Sequence, residues 1–159
     1  MAVTRGTVRC SLFLKVVQNT VDTLTEAERS QRMALVRSRD TKPEIVVRKA
    51  AWHLGYRYRL HVRALPGCPD LVFRSARAVI FVHGCFWHRH RGCPLARLPK
   101  SKLDFWVPKL EQNRTRDLKN ARSLRRAGWR VAVIWECETK MPSLIDEKLV
   151  TLLTSHEKR

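Results

Sequence analysis

Residues 70–83 read Asp-Leu-Val-Phe-Arg-Ser-Ala-Arg-Ala-Val-Ile-Phe-Val-His. Two short apolar runs, Asp70 to Phe73 and Ala78 to Val82, flank the polar stretch Arg74-Ser-Ala-Arg77. Runs of this kind, joined by a short polar link, predict two strands of a hairpin. Working outward, Leu65-Pro-Gly-Cys-Pro69 is a turn. Before it, Tyr56 to Val62 alternates large and basic residues, the pattern of a half-exposed strand. After the hairpin comes a loop rich in His, Cys and Pro, from His83 to Leu98. Asp104 to Ala127 then has helical periodicity, with Leu110, Leu118, Ala121 and Leu124 inside and Gly128 closing it. Trp129 to Trp135 is a buried strand ending at Glu136-Cys137.

Two helices are expected upstream. Thr25-Glu-Ala-Glu28 has capping-box spacing and starts a helix running to about Arg37. Thr41-Lys-Pro-Glu44 repeats the signature, with Pro43 tolerated in the first turn. This second helix is expected to bury Ile45, Val46, Ala50 and Leu54 and to stop at Gly55. Leu144 to Arg159 suits a short helix with Leu149, Leu152 and Leu153 on one side. Trp52, Trp129 and Trp135 are assigned to the core. The order is helix, helix, three strands, long helix, strand. It implies an α/β fold, a mixed central sheet flanked by helices. One domain, residues 22–159, is expected. Residues 1–21 hold Arg5, Arg9 and Lys15 but no acid, and are expected to be a poorly ordered basic extension.

The composition narrows the partner. Among 159 residues, 32 are Lys or Arg and 14 are Asp or Glu, a formal charge of +18. An apolar share of 44% with five Trp argues against a disordered basic tail. No run of 18 apolar residues occurs, so no membrane span is expected. Lys15 interrupts the apolar patch that a signal peptide needs. An excess charge of this size asks for a polyanion, and nucleic acid leads an anionic membrane surface.

The five cysteines are odd in number and too sparse for a disulfide scaffold. Cys85-x4-His90-x2-Cys93, with Cys137 after the last strand, supplies three thiolates and one imidazole. Zinc takes that set tetrahedrally with no open position, so the site is structural and belongs to a reducing cytosol. On spacing alone His88 is an alternative to His90. Asp70 opens an apolar strand, where an acid is expensive to bury unless it is paired or binds a cation. The hairpin brings Asp70 near the end of the next strand at Val82-His83, and Glu44 can approach from its helix. Carboxylate and carbonyl oxygens suit Mg²⁺, and nearby histidines suit general-base work. Together they point to metal-assisted phosphodiester hydrolysis. His53 and His61 are read as structural or outward-facing.

Lys109 to Arg126 carries seven basic residues against Glu111 and Asp117, a face suited to phosphates. Phe86-Trp87 and Phe105-Trp106 lie in or beside irregular polar segments. Aromatic wedges there would locate DNA that is cheap to unstack, such as a mismatch.

Taken with Arg39-Asp-Thr-Lys-Pro-Glu44, Leu65 to Asp70, Val79-Ile-Phe-Val-His-Gly-Cys-Phe-Trp-His88, Phe105-Trp106, Gly128-Trp-Arg-Val and Trp135-Glu-Cys137, the sequence resembles the very short patch repair (Vsr) DNA mismatch endonucleases. The likeness runs from about Asp22 to Lys140. The resemblance implies a restriction-endonuclease-like fold with a structural zinc loop. It implies nicking of one strand of double-stranded DNA on the 5′ side of the thymine in a T:G mismatch, the product of 5-methylcytosine deamination. Asp70 would bind catalytic Mg²⁺ together with the backbone carbonyl of Val82, where the family pattern has threonine. His88 would be the general base, His83 would assist at the phosphate, and Glu44 would support the site. Cys85, His90, Cys93 and Cys137 would hold zinc. Phe86, Trp87 and Trp106 would form the intercalating wedge. A cytoplasmic, nucleoid-associated monomer is expected, with other mismatch-repair proteins as further partners. Two rival readings share these parts: a restriction-type endonuclease cutting matched duplex, and a non-catalytic zinc-stabilised DNA-binding protein.

Overall fold

The computed structural model describes residues 25, 27, 28, 31, 35, 37 and 39–154. The chain divides into two compact units, Met1–Leu35 and Val36–Arg159. In the first, the expected capping box is present. Glu28 Oε2 accepts from Thr25 N at 2.8 Å, and Thr25 Oγ1 accepts from Glu28 N at 3.3 Å. The expected extension over residues 1–21 and the boundary at residue 22 lie outside the described residues.

The second unit is built on a four-stranded sheet. Its strands are β1 (Arg59–Leu60), β2 (Leu71–Phe73), β3 (Ala78–His83) and β4 (Arg130–Trp135). They lie side by side in chain order. The pairs β1–β2 and β2–β3 are antiparallel, with Leu71 opposite Ile80; β3–β4 is parallel, with Val82 opposite Ile134. A parallel pair needs a crossover. Here that crossover contains α2 (Leu103–Arg126). The other described helices of this unit are α1 (Lys42–His53) and α3 (Pro142–Thr154).

Strand alternation sends side chains to both faces of the sheet. On one face Leu71, Phe73, Ala78, Ile80 and Ile134 pack with Val47 and Ala51 of α1 and with Ile145, Leu149 and Leu153 of α3. On the other, Val72, Val79 and Phe81 pack with Leu124 of α2, and Val131 and Val133 join them. The result is a mixed sheet between two helical layers, the α/β class expected. Ile80 is 1% exposed, and cutting it to Ala would cost about 2–5 kcal/mol.

Several local expectations need correcting. The strand expected over Tyr56–Val62 shrinks to Arg59–Leu60. Helix α1 buries Glu44, Val47 and Ala51, whereas Ile45, Val46 and Leu54 stay partly in solvent. Trp52 follows Ala51 by one residue, about 100° round the helix. It is therefore 55% exposed rather than in the core, and the Arg57 guanidinium covers its ring at 3.7 Å. Leu118 on α2 is 53% exposed for the same reason: Leu110 and Leu124 define the buried stripe. Trp129 and Trp135 are half-buried rather than fully enclosed. Gly55 and Gly128, which follow α1 and α2, have φ of +85° and +78°, the left-handed conformation that ends helices.

Candidate active site and metal centre

Asp70 sits just before β2, beyond the Leu65–Pro69 turn. That turn runs close against α2. Gly67 has φ +76°, and a Cβ there would come within 2.7 Å of Asn120 Nδ2. Asp70 Oδ2 accepts a hydrogen bond from Val82 N at 2.7 Å, tying the start of one strand to the end of the next. Its other oxygen, Oδ1, faces His61 Nδ1 at 3.7 Å, beyond a direct hydrogen bond. Burial pushes the Asp70 carboxyl up to about 6. The Val82 N–H opposes that shift, and the charge of Glu44 adds to it. A half-buried carboxylate this reluctant to ionise, with one oxygen open, suits a hard cation.

His83 ends β3 on the α2 side of the sheet. Its ring stacks on His88 at 3.9 Å and 7°, and it meets the edge of Trp135 at 5.4 Å. Burial, aided by the neighbouring His88, pulls His83 down to about 4, so its ring is neutral near pH 7. His88 comes from the loop after β3, and its Nδ1 lies 2.5 Å from Asp117 Oδ2 on α2. Burial alone would raise Asp117. Its hydrogen bond to His88 and the charge of that ring outweigh burial and hold the carboxyl below its ordinary value.

The loop after His83 also carries the thiols. Donor atoms of Cys85, His90, Cys93 and Cys137 all lie within 4.8 Å of one another. His90 Nδ1 is 3.5 Å from Cys85 Sγ and 3.4 Å from Cys137 Sγ. Tetrahedral zinc with bonds of about 2.0–2.3 Å sets its ligands at roughly such separations. His90 stacks flat on Trp135, at 4.2 Å and 3°. Cys85 N donates to Glu136 Oε2 at 3.1 Å, which holds the loop against the end of β4. Burial pushes the Cys85 thiol up to about 12 and raises Cys137 as well. Closely packed thiols of this kind fit a thiophilic cation, which would favour their ionised form. The geometry puts His90 with the thiols and groups His88 with His83 and Asp117.

Glu44 is 3% exposed, and its oxygens are engaged. Oε1 accepts from the Thr41 hydroxyl at 2.9 Å; Oε2 accepts from Asp40 N at 3.0 Å and Arg48 Nη2 at 2.8 Å. Glu44 thus reaches Asp70 through its field and through His61, which lies 3.8 Å from Glu44 Oε2. His61 was expected to face outward. It is half-buried between the two acids because β1 ends one residue earlier. Sequence reasoning missed Asp117, Arg48 and His61. Asp117 had one usable signal, an acid set between Arg116 and Lys119 in the most basic part of its helix.

The aromatic residues form one cluster. Phe86 lies 5.1 Å from Trp87 and 5.4 Å from Trp106, and Trp106 lies 5.2 Å from Phe105. Asn113 Nδ2 donates to the Trp87 carbonyl at 3.2 Å, pinning the loop to α2. Phe86, Trp87 and Trp106 are half-buried and Phe105 is 57% exposed, so the cluster presents rings to solvent beside the His88–Asp117 pair. No helix among the described residues is long and apolar enough to cross a membrane.

A family model described as DNA mismatch endonuclease Vsr matches residues 21–94. The type II nicking enzyme V.XorIIP of Xanthomonas oryzae is 49% identical over 132 residues, 83% of this chain and 96% of that protein. The type II nicking enzyme V.NmeAIP of Neisseria meningitidis is 41% identical, over 83% of this chain and 94% of its own. DNA mismatch endonuclease Vsr of Escherichia coli is 38% identical, over 83% and 85%. With these matches, the mixed sheet and the groups gathered at its edge fall into one class, the DNA-cleaving hydrolases. Within that class, the chain belongs to the Vsr family of DNA mismatch endonucleases.

Proposed function

We propose that this endonuclease nicks one strand of duplex DNA on the 5′ side of the thymine in a T:G mismatch, using Mg²⁺ at Asp70 and the Val82 carbonyl. The observation that carries the reading is the convergence at the end of β3. Asp70 is bonded to Val82, and the next residue, His83, stacks on a histidine oriented by Asp117. The relatives, two nicking enzymes and a mismatch endonuclease, support the same reading.

Mg²⁺ bound there supplies Lewis-acid stabilisation of the charge that develops on the phosphate. A carboxylate accepts and never donates, so His88 keeps its proton on Nδ1 and donates it in the hydrogen bond to Asp117. That leaves the His88 Nε2 lone pair free to accept a proton from the attacking water. His83, neutral and stacked behind it, fixes the plane of the ring and assists at the phosphate. Glu44 supports Asp70 from α1. The products would be 3′-hydroxyl and 5′-phosphate ends.

The thiol-rich loop holds structural zinc through Cys85, His90, Cys93 and Cys137 and keeps His88 out of the ligand set. Phe86, Trp87 and Trp106 form the wedge that unstacks the mismatch, where unstacking is cheapest. The basic face of α2 lies along the phosphates. The deciding experiment is a nicking assay on matched and T:G duplexes, with Mg²⁺ added and withheld. Nicking confined to the T:G duplex with Mg²⁺ is expected. Double-strand cutting of matched DNA would support a restriction-type enzyme, and binding without any product would support a purely binding protein.

A further inference from the structure

His61 has no role in the reaction as drawn, yet its surroundings are unusual. It adopts φ +46°, a left-handed backbone uncommon for a residue with a side chain, immediately after β1. Its side chain is 16% exposed and lies between two acids. Arg48 Nη2 is 3.0 Å from His61 Nε2. A guanidinium carries donors only, so Nε2 accepts and the imidazole proton sits on Nδ1. Nδ1 is the nitrogen that faces Asp70 Oδ1, at 3.7 Å. Arg48 is itself clamped, by Asp40 Oδ1 at 2.5 Å and Glu44 Oε2 at 2.8 Å. Glu44 in turn is fixed by the Asp40 amide and the Thr41 hydroxyl. A chain of hydrogen-bonded groups therefore runs from the N-terminus of α1 to His61, whose Nδ1 stands 3.7 Å from the open oxygen of Asp70.

We propose that His61 is a positioning residue for Asp70: its Nδ1–H, set by Arg48, orients the carboxylate oxygen that Val82 does not hold. Contacts of this kind are often long in the unloaded protein and tighten on loading. The inference rests on the reading of Asp70 as the Mg²⁺ ligand. It also gives Arg48 and Glu44 a purpose beyond capping α1, since they fix the tautomer that His61 presents. Val82 N–H holds Oδ2 and His61 holds Oδ1, so the carboxylate plane is set from both sides.

Two measurements test it. The first needs no variant. Nitrogen-15 NMR of the histidine side chains in the zinc-loaded, Mg²⁺-free protein at pH 8 should show His61 protonated on Nδ1 and bare on Nε2. The opposite tautomer overturns the proposal. The second compares His61→Leu with His61→Asn, each checked for fold by circular dichroism. Loss of a group that orients a ligand typically weakens metal binding about 10–100-fold. His61→Leu should raise the Mg²⁺ concentration for half-maximal nicking by that factor, and weaken Mn²⁺ binding read by electron paramagnetic resonance in parallel. Asn tolerates a left-handed backbone and keeps a short N–H donor, so His61→Asn should recover much of the loss. Wild-type metal dependence in His61→Leu overturns the proposal, and so does equal impairment of both variants. Asp70→Asn separates the two layers. If it nicks normally, the reading of Asp70 itself fails; if it is inactive while His61→Leu matches wild type, only the positioning role fails.

Discussion

His88 and Asp117 are 29 residues apart in the chain and are joined by a 2.5 Å hydrogen bond between the loop after β3 and the middle of α2. The bond fixes the imidazole tautomer and, in the reaction proposed above, orients His88 as the base. Asp117→Asn should therefore preserve the fold and still cost about 10²–10⁴ in single-turnover nicking rate, because the amide can donate to Nδ1 and hold the wrong tautomer. His88→Ala should lose at least as much. A wild-type rate for Asp117→Asn on T:G duplex would mean that the pair is only a structural contact.

In the proposed reaction Asp70 links catalysis to stability, and the stability effect has a definite sign. Its folded carboxyl lies at about 6, against an ordinary 3.8, chiefly through burial. The folded state holds this proton more tightly than the unfolded chain does. The stabilisation is complete below about 3.8 and is lost as pH rises through about 6. Above that, ionised Asp70 strains the metal-free fold by up to about 3 kcal/mol, since each unit is worth about 1.4 kcal/mol. Asp70→Asn keeps an acceptor for Val82 N–H and removes the charge. In urea melts without Mg²⁺ the variant should be more stable than wild type at pH 8, and the gap should close by pH 4. It should not nick. A gap independent of pH would show that burial of this charge is not the cause.

How far the sequence was legible follows from the range of the interactions. The hairpin and the caps of α1 are encoded in local spacing, and each is where the residues indicated; spacing left His88 and His90 open, and Cys137, 44 residues beyond Cys93, comes beside them only through the parallel pairing of β3 and β4. Asp70 stood out as a candidate because an acid opening an apolar strand is expensive to bury without a partner or a cation. Asp117, Arg48 and His61 did not, because their roles depend on which face α1 and α2 turn to the sheet. Trp52 shows how narrow that margin is: one position past Ala51, it passes from core to solvent. The aromatic residues were legible as anomalies. Their joining into a single cluster needed the crossover that brings α2 back beside the loop.

In the loop from His83 to Leu98 only His83 and Cys85 are buried, so its order should depend on metal. Structural zinc contributes on the order of 10 kcal/mol to small domains. Cys85→Ser should lose bound zinc and cooperative thermal unfolding together, and strong chelators should reproduce the effect on the wild-type chain. Glu136→Gln, which alters the partner of Cys85 N–H, should lower zinc affinity more mildly. Metal analysis beside calorimetry checks this, and a metal-free Cys85→Ser that melts like wild type would remove zinc from the account.

Trp87 lies 6.0 Å from Trp106 within the partly exposed aromatic cluster. If these rings enter the base stack, their value is greatest where the stack is already weak. Trp87→Ala should therefore reduce the T:G preference, read as the ratio of nicking rates on mismatched and matched duplex, more than it reduces overall affinity. Stacking of a base on an aromatic ring is worth about 1–3 kcal/mol, so a loss of about 5- to 150-fold in the ratio is expected. An equal drop on both duplexes would make the cluster a general DNA contact.

Lys119, Arg122 and Arg126 follow Asp117 along the exposed side of α2. Two nearby acids of the helix are engaged elsewhere, Glu111 with Arg89 and Arg114, and Asp117 with His88. At about 100° per residue the three side chains project from the side of α2 opposite Asp117, and at 1.5 Å per residue the stripe is about 11 Å long, roughly three phosphates of one strand. Each phosphate contact should add about 0.9 to the slope of log affinity against log salt. Replacing all three with Ala should reduce that slope by about 2 to 3 for matched and T:G duplexes alike, without changing the preference between them or the nicking rate at saturating DNA. Binding titrations from 50 to 300 mM salt read this directly. An unchanged slope would mean that the stripe is merely solvated, and a selective loss on T:G DNA would mean that it senses the mismatch.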